Sequence, residues 1–183
     1  MSALNTLFIL ALAFVAVFAE SSFGGLRRLI GVQIDLLPAL MVYASLSSGL
    51  FTVSALAVCG GLWFDALSVN RLGVSIVPLF IIGLAIQQFR HLVLRDQTYT
   101  QLVLGFAASG FAPLLSLGII LTYGADPILG WGTLWQWLAM TVLGGLLVPI
   151  YFQLFGQVYR VLGYERVVES SYRPDREIAR GRG

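Results

Sequence analysis

The sequence predicts an all-α integral membrane protein, a compact bundle of about six transmembrane helices with both termini in the cytoplasm. Of its 183 residues, 58% are hydrophobic and only 11% are charged, and the mean hydropathy is +0.87. An ordinary soluble domain carries about 25% charged residues, and a soluble chain of this length could not enclose so much apolar surface in one core. The apolar residues also form six segments separated by short polar stretches.

Most of the six segments approach the length that a helix needs to cross a membrane, about 20 residues with a lower limit of about 17. The second segment is short, and the third follows it after a break at residues 46–49, Leu-Ser-Ser-Gly. One long broken helix in place of these two segments would leave five spans. The segments run at 4–19, 34–48, 50–67, 73–89, 99–123 and 133–155.

The distribution of arginine favours six spans over five. All eleven basic residues are arginine, and basic residues concentrate in the cytoplasmic loops of membrane proteins. With six spans and a cytoplasmic N-terminus, eight arginines lie inside and three, Arg27, Arg28 and Arg71, lie outside. The outer loop near 124–132 has no basic residue and leads into three tryptophans at 131–137, which are typical of an interfacial aromatic belt.

The chain divides into a single transmembrane domain, residues 1–160, and a flexible arginine-rich cytoplasmic tail, residues 161–183. The tail shows almost no apolar periodicity, as expected for a solvated segment. It serves either as a topology signal or as a docking segment for a cytoplasmic partner, and its arginines are able to touch anionic lipid.

The first apolar segment has two interpretations. It ends at Val17-Phe18-Ala19, a sequence that a signal peptidase accepts, so it is either a cleaved signal peptide or a retained helix. No basic residue precedes the segment, and a signal peptide normally has a basic start. A retained helix is therefore favoured.

Small residues define one face of the third segment. Gly49, Val53, Ala57, Gly61 and Asp65 follow one another at steps of four, which places them along one side of a helix. Small residues let a second helix approach closely. The stripe therefore predicts that the acid at its end points into the bundle or an interface.

Asp65 has a structural and a functional interpretation. As a structural residue it orders the end of its helix by accepting hydrogen bonds from Ser68, Asn70 or backbone amides, or by pairing with Arg71. As a functional residue it is a proton or substrate site. A transport relay normally uses several ionisable groups within the membrane, and the other spans hold few, so the structural or partner-binding role is favoured.

Asp35 precedes Leu36-Leu37-Pro38 at the start of the second segment. An acid is favourable at the positive end of the helix dipole, and proline fits in the first turn, so Asp35 is predicted to cap this helix. A pair with Arg27 or Arg28 is a second possibility.

The fifth segment predicts a close helix contact. Gly105 and Ser109 are four residues apart, as are Ala108 and Ala112, and this spacing is typical of packed membrane helices. The contact is either internal or made with another protein.

No catalytic, metal or cofactor site is predicted. The single cysteine, Cys59, and the single histidine, His91, provide neither a disulfide nor a metal cluster, and the serines at 45–48 have no nearby base. The net charge of +2 does not suggest a nucleic-acid partner.

The segment from 35 to 95 resembles the rod shape-determining protein MreD family. Asp35 opens a short apolar span, and Gly-x-x-x-Asp-x-Leu-Ser follows at 61–68. Leu72-Gly73 then opens the next span, which ends in a basic loop at 88–92. The last span runs from Gly-Leu-Leu-Val-Pro at 145–149 into a basic tail, which is also similar to the family.

The resemblance implies a non-enzymatic subunit of the bacterial elongation machinery in the inner (cytoplasmic) membrane. Its expected partners are MreC first, then MreB, RodA and a class B penicillin-binding transpeptidase, together with the lipid bilayer, and its expected role is the control of lateral peptidoglycan synthesis and rod cell shape. Self-association is left undetermined. The matching residues, with a structural or partner-interface role, are Asp35, Gly61, Asp65, Leu72 and Gly73.

The family is similar in fold to the substrate-binding membrane components of vitamin importers, which provide the alternative function. An importer component would carry a docking motif of two alanines four residues apart on its first span. The alanines of the first span, Ala11, Ala13, Ala16 and Ala19, have no such spacing, and this favours the first function.

Overall fold

The structure is a computed structural model that describes residues 3–22, 35–68, 71–90, 97–124 and 130–161. Within these ranges the chain forms six α-helices and no strand. The helices are α1 (Ala3–Ser22), α2 (Leu37–Ser47), α3 (Leu50–Leu67), α4 (Ile76–Phe89), α5 (Thr98–Thr122) and α6 (Trp131–Val161).

Four of these helices, α1, α3, α5 and α6, are long and apolar enough to cross a membrane. The chain is therefore an α-helical membrane protein, as its composition predicts. The helices α2 and α4 have only 11 and 14 residues, so α2 extends about 16 Å at 1.5 Å per residue. Because the hydrocarbon core is about 30 Å thick, α2 would need the residues on either side of it to complete a crossing.

The predicted break between the second and third segments is confirmed. Helix α2 ends at Ser47, and α3 begins at Leu50. Between them, Ser48 and Gly49 have extended backbone conformations with ψ near 170°, which separates two helices instead of bending one. The six-span count and the cytoplasmic placement of both termini stay predictions.

The short helix α2 lies at the centre of the bundle. Every residue from Leu37 to Leu46 is buried, as expected for a helix that is apolar on all sides. The other five helices all pack against α2, and around it α1 contacts α3, α3 contacts α4, α4 contacts α5 and α5 contacts α6.

Aromatic side chains join the two ends of this series, α1 and α6, across α2. The ring of Tyr43 in α2 stacks on Phe155 of α6 with 4.0 Å between centroids, and Phe152 meets the same tyrosine edge-on at 4.9 Å. Phe8 of α1 packs edge-on against Phe155 at 5.5 Å. Such ring pairs add about 0.5–1.5 kcal/mol each beyond the burial of their area.

The close contact predicted for the fifth segment is internal and joins α5 to α6. A Cβ atom added to Gly105 would lie 2.9 Å from the Cα of Gly145, and the side chain of Ser109 lies directly against Gly144. These small residues let the two backbones approach closely, which is how helices associate in the absence of a hydrophobic driving force.

Candidate functional site

Asp65 lies at the end of α3 and is only 1% exposed. Its Oδ2 accepts hydrogen bonds from the backbone amides of Gly73 at 2.8 Å and Ser75 at 3.1 Å, and its Oδ1 accepts one from the Ser75 hydroxyl at 2.5 Å. All three donors belong to the turn that leads into α4. The buried carboxyl group is therefore compensated by hydrogen bonds from its own chain.

The local sequence explains why this turn forms. Gly73 has φ of +95°, a conformation that residues with a Cβ atom rarely adopt. Ser75 stands immediately before α4, whose first amides have no partner within the helix. An acid near this end of the helix also meets the positive end of its dipole, so the Asp65 carboxyl group orders the turn and the start of α4 together.

Gly61, one turn before Asp65, allows α3 and α4 to approach. A Cβ atom added there would lie 2.9 Å from the backbone nitrogen of Ile76 and 3.0 Å from its Cα. Because these are backbone atoms, they are not free to move aside as the end of a side chain is. Gly61, Asp65 and Gly73 therefore act on one structural element, which we call the α3–α4 turn and which the structure describes at residues 65–68 and 71–75.

Of the alternatives predicted for Asp65, the backbone amides are among its donors, whereas the Ser75 hydroxyl is a donor that the sequence did not predict. The hydroxyl of Ser68 instead donates to the carbonyl of Phe64. The guanidinium of Arg71 lies over the ring of Tyr123, 5.5 Å from the centroid, away from the predicted pair with Asp65. The predicted donor Asn70 lies outside the described residues.

The other two residues of the resemblance do not join this hydrogen-bonded group. Asp35 is half-buried, and its Oδ1 accepts a hydrogen bond from the Leu37 amide at 3.0 Å, at the start of α2, where Pro38 occupies the first turn. Its predicted partners Arg27 and Arg28 lie outside the described residues. Leu72 lies within the α3–α4 turn, but its side chain is 69% exposed.

The stripe of small residues on α3 faces the bundle along most of its length. Val53, Ala57, Gly61 and Asp65 are buried, whereas Gly49, before the helix begins, is exposed. The stripe is thus part of the interior packing, and Asp65 points inward at its end.

A polar layer at the opposite end of the bundle joins α1 to α2 and α3. The amide of Asn5 donates to the hydroxyl of Ser48 at 3.0 Å, and the hydroxyls of Thr6 and Thr52 lie 2.8 Å apart. These partners are 43 and 46 residues apart in the chain. No local pattern links them, and the one signal in the sequence is that each stands near the end of an apolar segment.

Two side chains at the end of α4 complete this polar layer. Arg90 donates to the carbonyl of Ser48 at 3.3 Å. The amide of Gln87, oriented to satisfy both of its neighbours, donates to the carbonyl of Ser45 at 2.7 Å and accepts from Arg90 at 3.1 Å. A cation and a donor at the last carbonyls of α2 are favourable because the C-terminus of a helix carries partial negative charge.

An apolar cleft of about 280 Å³ opens between α4 and α5. Its lining is aliphatic and aromatic, with the alanines Ala85, Ala107 and Ala108 between larger side chains such as Ile82, Leu104 and Phe111. The cleft therefore fits an apolar group.

The geometry favours a structural role for the α3–α4 turn. The carboxyl group of Asp65 is held by three donors at hydrogen-bond distance, so it acts as an acceptor that stabilises a helix connection.

Comparison of the chain with models of known protein families, with curated proteins and with solved structures finds no match.

Proposed function

We propose that this protein is a non-enzymatic integral membrane subunit of the bacterial elongation machinery, of the MreD type. In this proposal it crosses the inner membrane six times with both termini in the cytoplasm. It binds MreC and, together with MreB, RodA and a class B penicillin-binding transpeptidase, helps to control lateral peptidoglycan synthesis and rod cell shape.

The observation that carries the proposal is the convergence of Gly61, Asp65 and Gly73 on one turn. These residues carry the sequence resemblance, and each has a distinct physical task there: close helix approach, acceptance of three hydrogen bonds, and a left-handed backbone conformation. A scaffold subunit requires residues that hold its helices in place. The convergence of these residues supports the proposal because the carboxyl group of Asp65 stabilises the fold.

Leu72 is the residue of the pattern with a side chain free to meet a partner. It is 69% exposed and stands next to Gly73 in the α3–α4 turn. An exposed leucine beside a rigid turn is a suitable contact for a membrane-spanning partner. We therefore place the candidate MreC contact at this turn.

Purification of the tagged protein from its native membrane in a mild detergent, with identification of the bound proteins, tests the proposal. Recovery of MreC together with RodA or the transpeptidase is expected, relative to an unrelated multi-span protein with the same tag. Recovery of an ATPase pair with its coupling membrane subunit would contradict it and favour the alternative, a substrate-binding component of a vitamin importer.

A pair of variants locates the contact. Leu72→Ser is expected to lower MreC recovery several-fold without changing the melting temperature of the purified protein, because its side chain is exposed. Leu4→Ser is the matched control, since Leu4 is similarly exposed, at 71%, on α1. Equal MreC recovery from both variants would show that the turn is not the contact.

A further inference from the structure

Arg71 and Tyr123 meet at one end of the α4–α5 pair, where α4 begins and α5 ends. Arg71 stands before α4, and Tyr123 follows α5, yet the Arg71 guanidinium lies 5.5 Å from the centroid of the tyrosine ring. Both side chains are exposed, Tyr123 by 59%. Among the described residues, the guanidinium of Arg71 contacts this ring. The N–H donors of the guanidinium are therefore available to an anion.

The apolar cleft lies between the same two helices. It extends along α5 from Leu104 to Leu115, and Tyr123 follows Leu115 by eight residues, or about 12 Å along the helix. The Leu115 end of the cleft is therefore the end nearer to the arginine along the helix. The α4–α5 pair thus carries an apolar cleft and, beyond the Leu115 end of that cleft, a cation.

Several side chains around the cleft are exposed although they are apolar. Ile81 is 46% exposed and Phe111 is 60% exposed, and Ala107, one turn before Phe111, is exposed as well. On a helix that crosses a membrane, such a surface is covered by lipid chains or by another helix. The charge at its end decides between these two occupants, because lipid phosphate is the anion present at high concentration at the end of a membrane-crossing helix.

We infer that the surface between α4 and α5 is a binding site for one anionic phospholipid. An acyl chain occupies the apolar cleft, and the phosphate of the headgroup binds the guanidinium of Arg71, which the ring of Tyr123 holds in place. The cleft volume of about 280 Å³ leaves room for a stretch of acyl chain. Guanidinium groups bind phosphate through paired hydrogen bonds.

Native mass spectrometry of the delipidated protein tests the site, with phosphatidylglycerol and phosphatidylcholine added in turn. The wild-type protein is expected to retain one phosphatidylglycerol in preference to phosphatidylcholine. Arg71→Gln is expected to weaken phosphatidylglycerol binding roughly tenfold, as the loss of one charge-assisted interaction predicts. Arg71→Lys keeps the charge but loses the paired hydrogen bonds, so it is expected to weaken binding by less than Arg71→Gln does. An unchanged lipid preference in Arg71→Gln would overturn the inference.

A second pair of variants tests the cleft independently of the charge. Ala107→Trp fills the cleft and is expected to reduce retention of both lipids several-fold, whereas Ala11→Trp, at an exposed alanine on α1, is expected to leave retention unchanged. Equal retention in the two variants would overturn the inference. Displacement of the lipid by inorganic phosphate alone would show a free-anion site and would overturn it too.

A photo-reactive amino acid at position 107, introduced into cells, identifies the occupant in the native membrane. A lipid adduct supports the inference. A protein adduct as the main product would show that a partner helix covers the cleft, and would overturn it. None of these measurements depends on MreC, so the lipid site and the proposed function fail or stand separately.

Discussion

At the residue scale, the carboxyl group of Asp65 shows how a membrane protein compensates a buried acid. It is 1% exposed, and three donors of the following turn bind it at 2.5–3.1 Å. Hydrogen bonds to a charged group contribute about 1.5–3 kcal/mol each, which offsets the cost of removing the acid from water. One of these donors is the amide of Gly73, whose position depends on a left-handed backbone conformation.

Gly73→Ala is expected to lower stability by about 1–2 kcal/mol, the cost of a left-handed conformation for a residue with a Cβ atom. The space around Gly73 is open, with no atom within 4 Å of an added Cβ, so the penalty comes from the backbone alone. Thermal unfolding of the purified protein in detergent measures the change.

Gly118→Ala is the matched control for this backbone effect. Gly118 is also in open space but lies within α5 without a positive φ, so alanine is expected to stabilise the helix by up to about 1 kcal/mol. A shift of the same sign in both variants would contradict the role given to the Gly73 conformation.

At the element scale, the central helix α2 is the unusual feature. It has 11 residues, and the five other helices pack around it. Its first turn holds the Asp35 contact to Leu37, and its last carbonyls are bound by side chains at the end of α4. Both ends are thus provided with polar partners in the interior, where an unpaired backbone group is costly.

The contact between α3 and α4 is expected to be more sensitive to added volume than the contact between α3 and α2. Gly61→Ala places a Cβ atom 2.9 Å from the backbone nitrogen of Ile76, whereas Gly60→Ala places one 3.3 Å from the end of the flexible Leu37 side chain. Overpacking costs about 1–3 kcal/mol where neighbours do not yield. Thermal unfolding should therefore show a clear loss for Gly61→Ala and little change or a gain for Gly60→Ala, and the reverse order would contradict this packing.

At the scale of the whole molecule, aromatic residues and arginine mark one end of the bundle. Trp131 is 86% exposed and Trp135 is 59% exposed at the start of α6, and Tyr123 lies at the end of α5 beside Arg71. Such residues concentrate at membrane–water interfaces because one part of the side chain is apolar and another is polar. This end therefore corresponds to one membrane surface.

Reporter fusions test the predicted orientation of the chain. With six spans, a fusion after Gly183 is expected to be cytoplasmic, with a fluorescent reporter active and alkaline phosphatase inactive. A fusion after Gly124, at the aromatic end, is expected to give the opposite result. Phosphatase activity from the fusion after Gly183 would contradict both the six-span count and the placement of the C-terminus.

The amino-acid sequence is enough to locate the helices and to predict an α-helical membrane protein. Apolar runs of sufficient length define the four long helices, and the polar break at 46–49 separates α2 from α3, because both features are local. The position of Asp65 at a helix end also follows from the residues around it. Backbone amides are only one of several donors that the sequence allows, and the selection of Gly73 and Ser75 depends on the folded turn.

Which helix surfaces meet is visible only in the folded protein. Three features depend on segments far apart in the chain. They are the central position of α2, the packing of Ser109 on Gly144, and the position of Arg71 over Tyr123 instead of beside Asp65. The helices are apolar on most sides, so hydrophobic periodicity does not distinguish the face that meets lipid from the face that meets protein. In a membrane, close packing and hydrogen bonds between helices select those contacts, and they exist only once the helices are assembled.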